Sequence, residues 1–258
     1  EYPFNHEMLI MTRVLENQAT HEVLISTKGA PEAIFKLCGM DDHELQKQLD
    51  LVQVMAEKGY RVIGIASASA DASPLPEDQR NFEFTFKGLL GFEDPIRPEV
   101  KQAVKECHDA GIKVIMITGD YPATARNIGM QTGLPEKGKL ITGEELMHMS
   151  DQELHKKIRN TTIFARVVPE QKLRIVEALK ANGEIVAMTG DGVNDAPALK
   201  AAHIGIAMGN KGTDVAREAS SLVLLDDNFA SIVGAIRSGR RIFDNLQKAM
   251  SYFFAIHI

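Results

Sequence analysis

The chain has 258 residues, 44% of them hydrophobic and 25% charged, a balance that excludes a disordered, collagen-like or disulfide-stapled polypeptide. Against the usual prior of ~150 residues per domain, this length predicts one large or two modest domains with a real core. A formal net charge of -6 argues against a nucleic-acid binder, which needs a basic face to meet phosphates.

Residues 1–85 read as a small α+β unit. Strand-like stretches at 8–15 and 22–27 flank the polar turn 16–20, helical patterns follow at 31–38 and 43–58, and 61–68 is strand-like again. The stretch 70–81, rich in Asp, Ser and Pro, reads as a surface loop. This first part carries 7 Lys+Arg against 14 Asp+Glu, whereas residues 86–258 carry 22 against 21. That step in charge predicts a domain boundary near residues 85–87.

From about Gly111 onward, apolar runs at 114–117, 162–165, 185–188, 204–207 and 222–225 alternate with helical patterns, the wiring of a parallel α/β sheet. One helix opens at Pro98, buries Val100, Ala103, Val104 and Cys107, and stops at Gly111. Another runs over 169–181 with Leu173, Val176 and Leu179 inward and Gly183 as its stop. Cys38 and Cys107 lie far apart without zinc-ligand spacing, which fits a reducing compartment.

The sequence has no initiator Met and stops inside the apolar run 249–258, just after Arg237, Arg240, Arg241 and Lys248. A bilayer takes about 20 apolar residues to cross, so this run predicts a membrane helix cut short, with the basic flank on the cytoplasmic side. The other reading is an amphipathic C-terminal helix packed on the domain.

The most informative stretch for chemistry is 185–197. An apolar strand delivers Asp191 and Asp195 to a glycine-permitted loop at its carboxyl end, where open α/β sheets bind ligands, and Pro197 starts a helix. Two carboxylates beside Asn194 suit Mg²⁺, which takes hard oxygen ligands and usually only one or two protein carboxylates. Alone, Gly-Asp-Gly reads as a turn and helix cap. The complete run from Thr189 to Lys200 is far more specific. A second strand end places Thr118, Gly119 and Asp120 where a phosphoryl oxygen could be held, the alternative being that Thr118 caps the next helix. Lys172 supplies an ammonium that could neutralise phosphoryl charge, or is a surface lysine.

Taken together, these residues resemble the nucleotide-binding and phosphorylation domains of P-type ATPases, cation pumps whose catalytic core belongs to the haloacid dehalogenase superfamily. Lys28-Gly29-Ala30-Pro31-Glu32 is similar to their K-G-A-P-E motif. Asp94-Pro95-Ile96-Arg97-Pro98 resembles the D-P-P-R hinge with Ile for the second Pro. Thr118-Gly119-Asp120 and the run 189–200 are similar to T-G-D and T-G-D-G-V-N-D-A-P-A-L-K. The order and spacing agree, and the resemblance is nearly chain-long.

The resemblance implies a haloacid-dehalogenase-like Rossmannoid parallel sheet over 86–243, a smaller α+β nucleotide-binding domain over 1–85, and a stalk with the start of a membrane helix over 244–258. It implies that Phe4 stacks on adenine, that Lys28 and Gly29 lie in the nucleotide pocket, and that Arg61 reaches the β-phosphate. Arg97 and Arg166 would help join the domains around the nucleotide. Thr118 and Lys172 would hold the transferred phosphoryl group, with Asp191 on Mg²⁺, Asn194 and Asp195 supporting it, and Gly119 and Asp120 in the nucleotide site. ATP and Mg²⁺ are the implied substrate and cofactor, and the implied setting is the cytoplasmic face of a membrane, in a multi-pass pump of calcium type.

Two departures stand out. Leu9 replaces a Lys and His6 an Arg of the adenine-stacking stretch. No D-K-T-G-T occurs, so the aspartate that is phosphorylated in the family is absent, and Asp94 lacks the following Asp or Thr that would let it substitute. The nucleophile's strand is central in that superfamily's sheet, so its loss predicts two inward strand edges with unpaired backbone groups. A stand-alone phosphatase of the same superfamily and a non-catalytic nucleotide-binding module are the alternatives.

Overall fold

The computed structural model describes the chain apart from residues 1, 6, 7, 20, 21, 71–74, 94, 136, 137 and 258, and apart from the side chains at 4, 5, 70 and 257. His6 and Asp94, both singled out in the sequence, lie outside the described residues, as does the side chain of Phe4. The chain divides into two compact units, Glu1–Pro95 and Ile96–Ile258.

Unit one is an antiparallel sheet of β1 (Tyr2–Asn5), β2 (Ile10–Glu16), β3 (Val23–Gly29), β4 (Arg61–Ala70) and β5 (Thr85–Phe92), hydrogen-bonded in chain order. Helices α1 (Pro31–Leu37) and α2 (Asp42–Glu57) follow β3. Strand alternation gives the sheet two different faces. One carries Ile10, Thr12, Ile25, Thr27, Ala66 and Ala68, all buried, and packs on Ile34 and Phe35 of α1. The sequence leaves β5 unread because Gly88 and Gly91 interrupt it, and glycine weakens a strand's signature. Since β5 pairs with β4 along its length, the first unit extends to Pro95 rather than ending near residues 85–87.

Unit two contains α3 (Pro98–Asp109), β6 (Met116–Ile117), α4 (Pro122–Thr132), β7 (Lys139–Thr142), α5 (Gly143–His148), α6 (Asp151–Lys157), β8 (Thr161–Ala165), α7 (Pro169–Ala181), β9 (Ala187–Gly190), α8 (Ala196–Ala201), β10 (Ile204–Met208), α9 (Asp214–Ala219), β11 (Leu222–Leu224) and α10 (Phe229–His257). Its strands run parallel, as the alternation predicts, in two three-stranded sheets ordered β6-β8-β7 and β11-β10-β9. Among the described residues β6 and β9 are therefore edge strands. The consequence shows in burial: β8, flanked on both sides, is buried at every position, whereas both residues of β6 are only half-buried. The apolar run 114–117 shrinks to a two-residue strand.

The two sheets share core residues. Ile117 of β6 and Leu179 of α7 pack both into the cluster around Phe164 and Ile175 and into the cluster around Val176, Met188 and Leu199. Full burial of a side chain such as Phe164 or Ile175 stabilises by about 1.5–3 kcal/mol. On α7 the fully buried apolar residues are Ile175, Val176 and Ala178, while Leu173 and Leu179 are half-buried. On α3 the expected face is confirmed by burial of Ala103, Val104 and Cys107.

The first part of α10 docks on α3 through Val233 and Phe229, and Arg237 pairs with Glu106 at 2.6 Å. From Arg241 to Ile256 every residue is exposed, including Ile242, Phe243, Leu246 and Phe253. The helix is continuous across residue 244. No helix among the described residues is long and apolar enough to cross a membrane.

Candidate functional site

In unit two the sequence-predicted residues gather at the carboxyl ends of β6, β8 and β9. Beyond β6, Thr118 N–H donates to the Phe164 carbonyl at 2.9 Å, and its own carbonyl accepts from Val167 at 3.1 Å. The Thr118 hydroxyl donates to Asp120 Oδ2 at 2.9 Å and accepts from the Asp120 amide at 3.1 Å. These bonds fix a turn, whereas α4 is capped by Tyr121, so Thr118 is not a helix cap. Arg166, just past β8, donates its amide to the Asp120 carbonyl at 3.1 Å, and its guanidinium lies over the Tyr121 ring at 5.5 Å. Arg166 adopts φ 55°, a left-handed conformation that costs a non-glycine residue on the order of 1–3 kcal/mol and that persists where surrounding contacts over-determine it. Thr118, Gly119, Asp120 and Arg166 thus belong to one cross-bonded pair of strand ends.

A second group forms beyond β9. Lys172, on the first turn and a half of α7, donates to Asp195 Oδ1 at 2.6 Å. Asp195 Oδ2 accepts from the amides of Gly192 at 3.1 Å and Asp191 at 3.3 Å. The loop is built around this carboxylate. Gly190 has no alternative, because a Cβ there would lie 2.5 Å from Asp195 Cβ. Asp191 and Asn194 point outward as exposed residues, and the Asp191 carbonyl is held by the Thr213 amide at 2.8 Å. The strand cores tie the two groups together, since Ile117, directly before Thr118, packs in the cluster that contains Met188, directly before Thr189.

The donor set fits Mg²⁺ in part. Asp191 offers an exposed carboxylate, but Asp195 is 8% exposed and already shared between Lys172 and two amides. Among the described residues no group of three or more His, Cys, Asp or Glu could hold a metal ion alone.

Unit one brings Lys28 and Arg61 to the face of its sheet opposite α1. Lys28 pairs with Met11 and Ile65, and Arg61 lies two alternations before Ile65, so all four share that face. Lys28 and Arg61 are exposed there. The neighbouring Gly29 cannot be larger, because a Cβ would meet the Leu9 carbonyl oxygen at 2.3 Å. That same oxygen accepts from the Ala30 amide at 3.1 Å, so the β1–β2 turn closes directly on the Lys28-Gly29-Ala30 strand end.

Sequence reasoning missed Asp227. Its carboxylate accepts from the amides of Asn210 at 3.0 Å and Lys211 at 2.9 Å, and its carbonyl accepts from Arg97 at 2.5 Å. It is 8% exposed, so it fastens the segment after the unit boundary to the loop beyond β10. The only signal was an acidic pair, Asp226-Asp227, ahead of Asn228 and a helix, which reads as an ordinary cap.

Comparison with known proteins adds an independent line. The chain is 44% identical over 270 residues to a calcium-transporting ATPase of Bacillus subtilis, covering 100% of this chain and 30% of that protein. It is 43% identical to calcium-transporting ATPase 1 of Saccharomyces cerevisiae, covering 98% of this chain and 28% of that protein. It is 44% identical to the cation-transporting ATPase pma1 of Synechocystis, covering 90% and 27%. The chain therefore spans less than a third of the length of these relatives. A family model described as haloacid dehalogenase-like hydrolase matches residues 39–203, and a second model of that description matches 172–236. With parallel strands that carry Thr118 and Asp191 just past their ends, Lys172 on the helix between them, and more than half of its length matched, the chain belongs to the haloacid dehalogenase-like hydrolase family.

Proposed function

We propose that this chain is the nucleotide- and phosphoryl-handling part of an ATP-driven P-type cation pump, of calcium type. ATP binds to unit one, with Phe4 on the base, Lys28 and Gly29 beside the phosphates and Arg61 on the β-phosphate. In unit two, Thr118 and Lys172 hold the transferred phosphoryl group, Gly119, Asp120 and Arg166 contact the nucleotide, and Asp191 holds Mg²⁺ with Asn194 and Asp195 in support. Bound magnesium would supply charge neutralisation at the phosphoryl oxygens.

The observation that carries the reading is the Lys172–Asp195 pair at 2.6 Å. It places a cation and a carboxylate at the carboxyl end of β9, next to the exposed Asp191, where open α/β sheets bind ligands. The names of the relatives support ion transport, and the open face with Lys28 and Arg61 supports an anionic ligand on unit one. Phosphorylation itself needs an aspartate in a D-K-T-G-T context, which this sequence lacks. The edge strands β6 and β9 suit an added parallel strand that would bring it.

In this reading the 258-residue chain binds ATP without turning it over. A calorimetric titration with ATP, with and without Mg²⁺, combined with a phosphate-release assay, tests it. Saturable binding without release supports the proposal. Absent ATP binding together with Mg²⁺-dependent hydrolysis of small phosphomonoesters would replace it with a stand-alone phosphatase.

A further inference from the structure

The loop between β10 and α9, residues 209–213, has no role in the proposed chemistry, yet its backbone is fastened from two directions. The Asn210 and Lys211 amides donate to the two carboxylate oxygens of Asp227 at 3.0 and 2.9 Å, and the Gly209 amide donates to the Leu224 carbonyl at 2.8 Å. The Gly209 and Gly212 carbonyls both accept from a single nitrogen, Nη1 of Arg217, at 2.8 and 2.6 Å. Arg217 is half-buried, and its Nη2 pairs with the exposed Asp214. Surface loops are ordinarily mobile. This one has its amides on one side chain and its carbonyls on another.

What the loop holds in turn is the peptide of Asp191. The Thr213 amide donates to the Asp191 carbonyl at 2.8 Å, and Thr213 is itself fixed as the N-cap of α9, its hydroxyl accepting from the Ala216 amide at 3.2 Å. The other end of that same peptide unit is the Gly192 amide, which donates to Asp195 Oδ2 at 3.1 Å. The peptide plane between Asp191 and Gly192 is therefore held at both ends, by Asp195 on one side and by the loop on the other. The Asp191 side chain is exposed, so its direction is set by this peptide rather than by packing around the carboxylate.

We infer that Arg217 and Asp227 are positioning residues for Asp191: by clamping loop 209–213 they fix Thr213, and through it the peptide that aims the Asp191 carboxylate. This rests on the reading that Asp191 holds Mg²⁺. Both act at one remove, Arg217 on the carbonyls of the loop and Asp227 on its amides. Arg97, the N-cap of α3, donates to the Asp227 carbonyl at 2.5 Å and so anchors the same clamp.

The test is a titration of the full chain with Mn²⁺, with the free ion followed by electron paramagnetic resonance. The variants are Arg217→Met, Arg217→Lys and Asp227→Asn, with Asp191→Asn to define the site. Arg174→Met is the control, because Arg174 also donates to two backbone carbonyls, those of Leu146 and Met149, elsewhere in unit two. Arg217→Met should weaken the Asp191-dependent binding about fivefold, and Asp227→Asn should weaken it similarly, since an amide nitrogen cannot accept from a backbone N–H. Arg217→Lys should restore it, because one ammonium can serve both carbonyls, and Arg174→Met should leave it unchanged. Amide hydrogen exchange supplies a readout without metal: the Thr213 and Gly192 amides should exchange faster in Arg217→Met and at the wild-type rate in Arg174→Met. Wild-type Mn²⁺ affinity in both Arg217→Met and Asp227→Asn overturns the inference. Equal losses in Arg217→Met and Arg174→Met, the mark of a merely structural role, overturn it too, as does unchanged exchange at Thr213. Mn²⁺ binding that Asp191→Asn does not alter contradicts the underlying proposal and removes this one with it, a result distinct from the others.

Discussion

Lys172 and Asp195 come from different motifs, yet their side chains meet at 2.6 Å with 21% and 8% exposure. The pair is asymmetric. Asp195 keeps two backbone amides if the lysine is lost, whereas among the described residues Lys172 reaches the loop through this pair.

That asymmetry makes a prediction. Removing one partner of a fully buried ion pair costs about 3–5 kcal/mol, and partial exposure of Lys172 reduces this. Asp195→Ala, which also abandons the amides of Asp191 and Gly192, should destabilise by about 2–4 kcal/mol, and Lys172→Ala by about 1–2 kcal/mol. Urea unfolding of the two variants should give that order, and the reverse order would show that the loop does not depend on the carboxylate.

Close approach at two glycines gives a second prediction. Gly190→Ala would drive its Cβ to 2.5 Å from Asp195 Cβ, and Gly29→Ala to 2.3 Å from the Leu9 carbonyl oxygen. Each should destabilise by about 1–3 kcal/mol, the usual cost of overpacking. Gly29→Ala should also weaken ATP binding, because the β1–β2 turn must move; Gly190→Ala should leave ATP binding on unit one unchanged. Thermal melts and ATP titrations of both variants check this.

A third prediction concerns the thiols. Burial first, and the Glu106 carboxylate second, push the Cys107 thiol above the ordinary value of 9.0. Burial and then Glu44 do the same for Cys38. Since the thiolate is the reactive form, iodoacetamide at pH 8 should modify both cysteines more slowly in the folded chain than after denaturation. The unfolded chain releases these protons near 9.0 while the folded chain retains them. Stability from this source is thus complete below that pH and is lost as pH rises from there through the raised value of the folded chain.

Much of the fold was legible because periodicity and helix punctuation reflect local chemistry. The face of α3 and the strands β3, β4, β8 and β10 follow from it. The length of β6 was not legible, since an apolar run such as 114–117 does not disclose whether a neighbouring strand is present to pair with it. Short β7 and glycine-broken β5 carry too little pattern to register. In the site, residue types and spacing pointed to Asp191, Asp195 and Lys172 separately. That Asp195 turns inward to Lys172 while Asp191 stays exposed is a consequence of tertiary packing between α7 and the β9 loop. Asp227 escaped notice because its partners lie far along the chain.

The most direct test of the central claim is the calorimetric titration of ATP against the wild type and against Phe4→Ala, Lys28→Ala and Arg61→Ala, with phosphate release followed in parallel. The account predicts saturable binding in the wild type, weaker binding in each variant and no turnover. Wild-type and variant affinities that coincide, or steady release of phosphate from ATP, would contradict it.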